Sequence, residues 1–367
     1  ILMIKTMKGG EVIGSGSYGC VFKPPLKCKN TQKNMVTTKN KKTKKNLISK
    51  LVLRYEGAEE YSFNKTVVDR IKKLDNYKII KKYFMVIDDI CVPEKLKKRD
   101  KESLITRCEN MVSKEYLENK LENIAILNMK YGGINIDSYI ISSIGLEEVY
   151  LFKFISKLIG NLIDLMENGI SVMHNVNLYH TDIKSLNLLL SNNKKYISMI
   201  DWGLSIVELP KHYDSVYSGI HFNRPYESLL FNINDNEIIM NRELLIDEII
   251  NSYLDKINRT SLGNDIYLLF NNENIIPTLK EYLLLMLDQV VVSNRFSREK
   301  LIKAFYVKQD YWGIMTVLMD LYKYLNLRNS IYENSFRNIF EYMTRNLRIN
   351  KSVLIGLLKK IEKRIII

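Results

Sequence analysis

The sequence predicts an α+β protein of two lobes, a small strand-rich first part and a larger, mainly α-helical second part. Short β-branched and aromatic runs broken by glycine dominate up to Gly133, whereas Val149 to Met173 and most of the chain after Ile276 have helical periodicity. The length of 367 residues suits a large two-lobed domain. With 46% hydrophobic and 26% charged residues, 16 Gly and 6 Pro, the composition excludes a disordered, collagen-like or fibrous chain.

Taken in order, residues 11–23 read as a strand, a glycine-rich turn and a second strand, because the glycines permit φ > 0 and close backbone approach. A basic, Asn/Thr-rich segment from about Pro24 to Asn46 lacks hydrophobic period and reads as an exposed loop. Leu47 to Leu53 is a short strand. Ala58 to Leu74 is a helix whose apolar stripe is Val67, Val68, Ile71 and Leu74, and Glu60 points along that face. Tyr83 to Ile87 is the next strand, followed by a polar, partly helical insertion of about thirty residues. Ile124 to Met129 is a strand running into Lys130-Tyr-Gly-Gly133, a connector between lobes. Leu188 to Leu190 and Tyr196 to Ile200 form a hairpin turned through Asn192-Asn193, and the helical tail ends in Ser352 to Leu358 with Ile365 to Ile367, a packed terminal helix.

The formal net charge is +14, but ten lysines and no acid lie between Lys23 and Lys50, so the excess is one local loop. A solvated lysine-rich insertion is the plainer reading, and docking of an acidic partner on stretch 23–50 the other; direct nucleic-acid binding is not expected. Cys20, Cys28, Cys91 and Cys108 show neither zinc spacing nor a disulfide framework, which points to a reducing compartment. No run of eighteen apolar residues suggests a membrane span, and the opening ten residues are too interrupted for a signal peptide, so an intracellular protein is expected.

Three clusters carry chemistry. Gly14-Ser-Gly-Ser-Tyr-Gly-Cys-Val21 is a G-x-G-x-x-G-x-V loop that continues as strand, unlike a dinucleotide-binding loop, which opens a helix. His180-Thr-Asp-Ile-Lys-Ser-Leu-Asn187 and Ile200-Asp-Trp-Gly-Leu204 supply two carboxylates, an amide and a lysine, brought to one end by the intervening hairpin. In-line phosphoryl transfer from a magnesium nucleotide requires such a set.

With these motifs the sequence resembles the eukaryotic-type serine/threonine protein kinases over roughly residues 8–345, with H-x-D-x-K-x-x-N for the usual His-Arg-Asp form and D-W-G for D-F-G. Its composition and inserts are most similar to the divergent kinases of large cytoplasmic DNA viruses, which would imply the host cytoplasm or packaging in the virion. The resemblance implies a bilobal protein-kinase fold with an N-lobe at 8–129, a hinge at 130–133, a C-lobe at 134–345 and a C-terminal helical extension at 346–367 packed on the C-lobe.

It further implies that ATP and Mg2+, with Mn2+ as an alternative, are the cofactors, and that proteins bearing Ser or Thr are the substrates. Gly14, Gly16, Gly19 and Val21 would cover the nucleotide, and Met129 and Tyr131 would line the adenine site as gatekeeper and hinge. Lys50 would contact the phosphates and pair with a helix glutamate, Glu60 before Glu59, with Asp69 third; the interval of ten residues is shorter than usual. Asp182 would accept the substrate proton, Lys184 would neutralise the transferring phosphoryl, and Asn187 and Asp201 would hold magnesium.

Glu227 of Arg224-Pro-Tyr-Glu227 would be buried against an arginine such as Arg295 or Arg298, and Asp265-Ile-Tyr267 would open the central helix that braces the catalytic loop. An insert of about twenty-five residues, from Asn232 to Thr260, separates them. Thr181 replaces the arginine that receives an activation-loop phosphate in most members, so phosphate-dependent activation is less expected. The alternatives are a pseudokinase acting as a binding scaffold, which keeps the fold without turnover, and a small-molecule phosphotransferase of the aminoglycoside or choline type. Lys184 and the complete glycine loop argue against the latter.

Overall fold

The strand signals of the first part assemble into a single five-stranded sheet. In the computed structural model, which describes residues 10–16, 19–29, 46–108, 121–210, 224–232, 241–259, 275–292, 295–327 and 330–363, the chain divides into two units. The first comprises Ile1–Lys72 and Met85–Gly132, the second Lys73–Phe84 and Gly133–Ile367. The architecture is mixed α+β, with the sheet in the first unit and most helices in the second.

In the first unit, β1 (Glu11–Gly16), β2 (Gly19–Lys23), β3 (Leu47–Leu53), β4 (Ile87–Cys91) and β5 (Ile124–Lys130) run antiparallel in the order β1-β2-β3-β5-β4. Seven consecutive pairs join β3 to β5, from Leu47 opposite Lys130 to Leu53 opposite Ile124. Gly19 has φ +155°, and a Cβ there would lie 2.3 Å from the Leu51 carbonyl oxygen, so only glycine lets β2 approach β3 at this point.

Helix α1 (Arg54–Ile71) starts four residues before the expected Ala58, because the chain passes from β3 into helix through the extended Leu53 with no intervening loop. It buries Gly57, Asn64, Val67 and Ile71. The next strand also differs from expectation. Lys81–Tyr83 is a 3-10 turn of the second unit, where the Tyr83 hydroxyl donates to Asp164, so β4 begins only at Ile87. There the Asn64 amide donates to the Ile87 carbonyl at 3.1 Å and accepts its N–H at 3.0 Å, fastening β4 to α1. Within the polar insertion α2 (Lys98–Arg107) lies beside β1.

The expectation of unpaired cysteines is overturned. Cys20 is bonded to Cys108 and Cys28 to Cys91, with Cα–Cα distances of 6.0 and 5.7 Å. Sequence separations of 88 and 63 residues hide both pairings from any spacing rule, and the inference of a reducing compartment loses its basis.

From Gly133 the second unit continues with β6 (Ile134–Asn135) and α3 (Ile136–Ile141), capped by the Asn135 side chain accepting the Ser138 N–H at 2.7 Å. Helix α4 (Glu148–Leu165) buries Leu158, Ile159, Leu162 and Leu165, then passes through a π turn at Met166–Ile170 into a last helical turn, Ser171–His174. Short strands β7 (Leu178–Tyr179), β8 (Leu188–Leu190), β9 (Ile197–Met199) and β10 (Ile206–Val207) follow. β8 and β9 form a hairpin with β6 on its other edge, and β10 pairs with β7.

The insert after Glu227 is helical, α5 (Arg242–Arg259), and α6 (Ile275–Val290) lies against it, with Lys280 bonded to Asp247 at 2.8 Å. The longest helix among the described residues is α7 (Arg298–Tyr324), which buries nineteen residues, including Lys308, Gln309 and Asp310. It starts at Ser297, whose hydroxyl accepts the Lys300 N–H. Asp265 lies outside the described residues. Helix α8 (Glu333–Arg345) and α9 (Lys351–Lys363) complete the fold, α9 burying Leu354, Ile355, Leu358 and Ile361 and reaching α4 through Ser156, which donates to the Glu362 carbonyl. No described helix is long and apolar enough to cross a membrane.

Candidate active site

In the first unit the expected residues fall into two groups. Gly14 and Gly16 end β1 and Gly19 and Val21 begin β2, with Gly16 opposite Gly19 and Val21 opposite Lys50 on β3. The second group is the pair Lys50–Glu60, in which Nζ lies 2.9 and 2.8 Å from the two carboxylate oxygens. Both side chains are largely but not fully enclosed, at 16% and 18% exposure. Glu59 is exposed and bonded to the Tyr55 phenol, whose pKa it helps to raise. Met129 is partly buried opposite Ile48. Tyr131 spends its N–H on the Asn46 carbonyl at 2.8 Å, and the Lys23 ammonium lies 3.2 Å from its ring centroid.

In the second unit the turn between β7 and β8 gathers Asp182, Lys184 and Asn187. The Asp182 carboxylate accepts from Lys184 Nζ at 3.2 and 2.9 Å and from Asn187 Nδ2 at 2.7 Å, and the same amide donates to the Asp182 carbonyl at 2.9 Å. The Ile200 N–H donates to the Asn187 carbonyl at 3.0 Å, which brings Asp201 to this end of the β8–β9 hairpin. Asp201 is exposed, has φ +64° and precedes the buried Trp202. Trp202 packs between His180 and Phe84, with ring centroids 4.6 and 5.9 Å away.

The support beneath this turn is what sequence reasoning missed. Asp310, fully buried on α7, accepts from the His180 N–H at 3.1 Å and the Thr181 N–H at 2.8 Å, and takes His174 Nε2 at 2.8 Å. Gln309 donates to the Thr181 carbonyl. Asp310 therefore braces this loop, while Asp265, expected in that role, lies outside the described residues. Thr181 sits at φ +61°, an uncommon conformation for a β-branched residue, and its hydroxyl donates to the Leu204 carbonyl. Ser185 donates to Asp320 one α7 face farther on. Gly313 makes the approach of α7 feasible, since a Cβ there would lie 2.5 Å from the Ile183 carbonyl. The available signal was Gln309-Asp310 beside Tyr-Trp-Gly313: polar residues inside a long apolar helix need buried partners.

Glu227 is fully buried, and the cation against it is Lys308, where Arg295 or Arg298 was expected. Nζ lies 3.0 Å from Oε1 in an ion pair not aligned as a hydrogen bond, while the Tyr282 hydroxyl donates to Oε2. Burial lowers the Lys308 pKa, opposed by Glu227, and burial with Glu227 raises that of Tyr282 well above its ordinary value. Arg298 donates to the Phe231 carbonyl at 2.8 Å.

Among the described residues no cluster of three or more His, Cys, Asp or Glu side chains could hold a metal alone. Asn187 and Asp201 are a different kind of donor set. With Asn187 Nδ2 engaged by Asp182, the remaining polar atom of the amide is Oδ1, and Asp201 offers an exposed carboxylate. Two hard oxygen donors suit magnesium when substrate phosphates complete its shell.

No family model matches the chain. Over 107 residues it is 31% identical to the probable serine/threonine-protein kinase HSL1 of Saccharomyces cerevisiae, a match covering 29% of this chain and 6% of that protein. The likeness is partial and supports a distant relationship to the kinase superfamily.

Proposed function

We propose that the protein is an ATP-dependent serine/threonine protein kinase of the bilobal protein-kinase fold. The observation that carries the reading is the Asp182–Lys184–Asn187 cluster, locked from below by Asp310 and followed across one hairpin by Asp201. In this reading Asp182 orients the substrate hydroxyl and takes its proton as the oxygen attacks the γ-phosphorus. Lys184, already resting on Asp182, brings a positive charge to the phosphoryl group in transit. Magnesium, held by Asn187 and Asp201, would neutralise charge on the β- and γ-phosphates. Lys50, oriented by Glu60, would contact the α- and β-phosphates, and the Gly14–Gly19 hairpin would cover them with backbone N–H groups.

Because the Tyr131 N–H is spent on Asn46, the adenine contacts fall to the other backbone groups of residues 130–133. An acidic docking partner for the lysine-rich stretch 23–50 belongs to the same reading.

The test is transfer of labelled γ-phosphate from magnesium ATP to casein or myelin basic protein, with Asp182→Asn and Asp201→Asn beside the unaltered chain. Label on serine or threonine that falls in both variants by at least about a hundredfold, the scale of losing a positioned acid–base group, is expected. A folded chain that binds nucleotide and transfers nothing would overturn the assignment in favour of a scaffold. Transfer to aminoglycosides or choline alone would overturn it in favour of a small-molecule enzyme.

A further inference from the structure

We propose that Cys20 and Cys108 form a reversible thiol–disulfide site that sets how firmly the glycine-loop hairpin is held and, through it, the affinity for nucleotide. The second half of this inference rests on the kinase reading; the first half does not.

The argument begins with β1. As the edge strand of the sheet it has one row of N–H and C=O groups without a strand partner, and such edges are mobile or adhesive unless covered. Here α2 covers it. Asp100 accepts the Gly10 N–H at 2.8 Å, Ser103 accepts the Val12 N–H at 2.9 Å, and Arg107 donates to the Val12 carbonyl at 3.2 Å. Arg99 pairs with Glu11, a partly exposed contact of the kind that contributes little. These bonds all engage β1, and none reaches β2.

The disulfide also ties α2 to β2, which is otherwise laddered to β1 and β3. Cys108 is the residue that ends α2, and Cys20 stands on β2 directly after Gly19 and opposite Ser15. One helix is thus bonded to one strand of the hairpin through side chains and to the other covalently. Val12, Cys20, Phe22, Leu104 and Cys108 share a buried cluster beneath it. Cleaving the link leaves β2 held by packing and by its ladders to β1 and β3 but removes its covalent tie to α2, so the hairpin of β1 and β2 gains freedom at the edge of the sheet.

The two disulfides differ in access. Cys28 and Cys91 are half-buried, whereas Cys20 is fully buried and Cys108 is 7% exposed. Exchange at the Cys20–Cys108 site therefore starts at Cys108 when the end of α2 lifts. In oxidation the Cys108 thiolate attacks one sulfur of a small disulfide such as oxidised glutathione, expelling one glutathione thiolate. The Cys20 thiolate then attacks the Cys108 sulfur of the mixed disulfide and expels the second. Two cysteine protons are released, and two electrons pass to glutathione; reduction is the reverse.

The experiment uses the full chain carrying Cys28→Ser and Cys91→Ser, so that one pair remains. It is reduced with dithiothreitol, reoxidised with oxidised glutathione, and compared in both states by thiol counting, amide hydrogen exchange and ATP kinetics. Expected are two free thiols on reduction and none on reoxidation, with exchange across residues 12–16 and 19–22 about tenfold or more faster in the reduced state. KM for ATP should rise severalfold while kcat changes little. Equal exchange in the two states, or thiols that never reoxidise, would overturn the proposal. If no form transfers phosphate, thiol counting and hydrogen exchange still decide the clamp, and only the kinase reading falls. Equal KM with altered exchange would refute the link to nucleotide affinity.

Discussion

Replacing Lys308 with methionine would remove the ammonium 3.0 Å from Glu227 while keeping most of the volume of a side chain that is 0% exposed. The carboxylate is equally closed to water, so it cannot be rehydrated without opening the contact between Tyr226–Asn232 and α7. Breaking a buried ion pair on one side costs about 3–5 kcal/mol. The Tyr282 hydroxyl still donates to Glu227, which places the expectation at the lower end, near 3 kcal/mol. In a unit of this size each kcal/mol moves Tm by roughly 2–4 °C, so thermal unfolding followed by circular dichroism should shift down by about 6–12 °C. Removing both charges with Lys308→Met and Glu227→Leu should recover part of the loss, since no charge is left to desolvate, while the buried Tyr282 hydroxyl loses its acceptor. A single variant melting within about 2 °C of the unaltered chain, or a double variant no better than the single, would refute the claim that the ion pair holds this segment.

Alkaline stability offers a second check. Burial, helped by Asp310, pushes the Tyr311 phenol up to about 12, so its neutral form is favoured by folding. That contribution is complete below the ordinary tyrosine value near 10 and is lost as pH rises through about 12. Urea midpoints should fall between these limits and fall less in Tyr311→Phe; identical slopes in both chains would count against it. Gly313→Ala drives a Cβ to 2.5 Å from Ile183, and overpacking of this kind costs about 1–3 kcal/mol. Because Ile183 follows Asp182, kcat in the proposed phosphoryl-transfer assay should fall while KM changes little, and an unaltered kcat would separate α7 from the turn at Asp182. Gly356→Ala, with nothing within 4 Å of the added Cβ on α9, should instead raise stability by about 0.5–1 kcal/mol in the same melts.

What the sequence revealed and what it hid divide along the distance over which each feature is determined. The glycine hairpin, the β8–β9 hairpin and the cluster from His180 to Asn187 are written in a few adjacent residues, and turn chemistry and alternation suffice to read them. Helical phase likewise puts Glu60 on the stripe of Val67 and Ile71, and its carboxylate meets Lys50. Asp310 is 129 or more residues from the backbone it braces, Lys308 pairs across the unit with Glu227, and the cysteines join across 88 and 63 residues. No local period encodes such partners. The late start of β4 has the same origin, since the Tyr83 side chain is claimed by Asp164, far along the chain.

The π turn at Met166–Ile170 sets the angular phase of everything after it. Such a turn holds one residue more than an α turn, so the chain beyond it is rotated by about 100° relative to an uninterrupted helix. Leu158, Leu162 and Leu165 stay on the packed face before the turn, while His174 after it is swung onto Asp310. Loss of one residue between 166 and 170 would restore a regular helix and leave the imidazole in phase with the carboxylate, whereas winding the same residues into an uninterrupted α-helix would carry it about a quarter of a circle past. The extra residue and the π turn that absorbs it thus compensate, and together they keep His174 on the carboxylate that holds the backbone at His180 and Thr181.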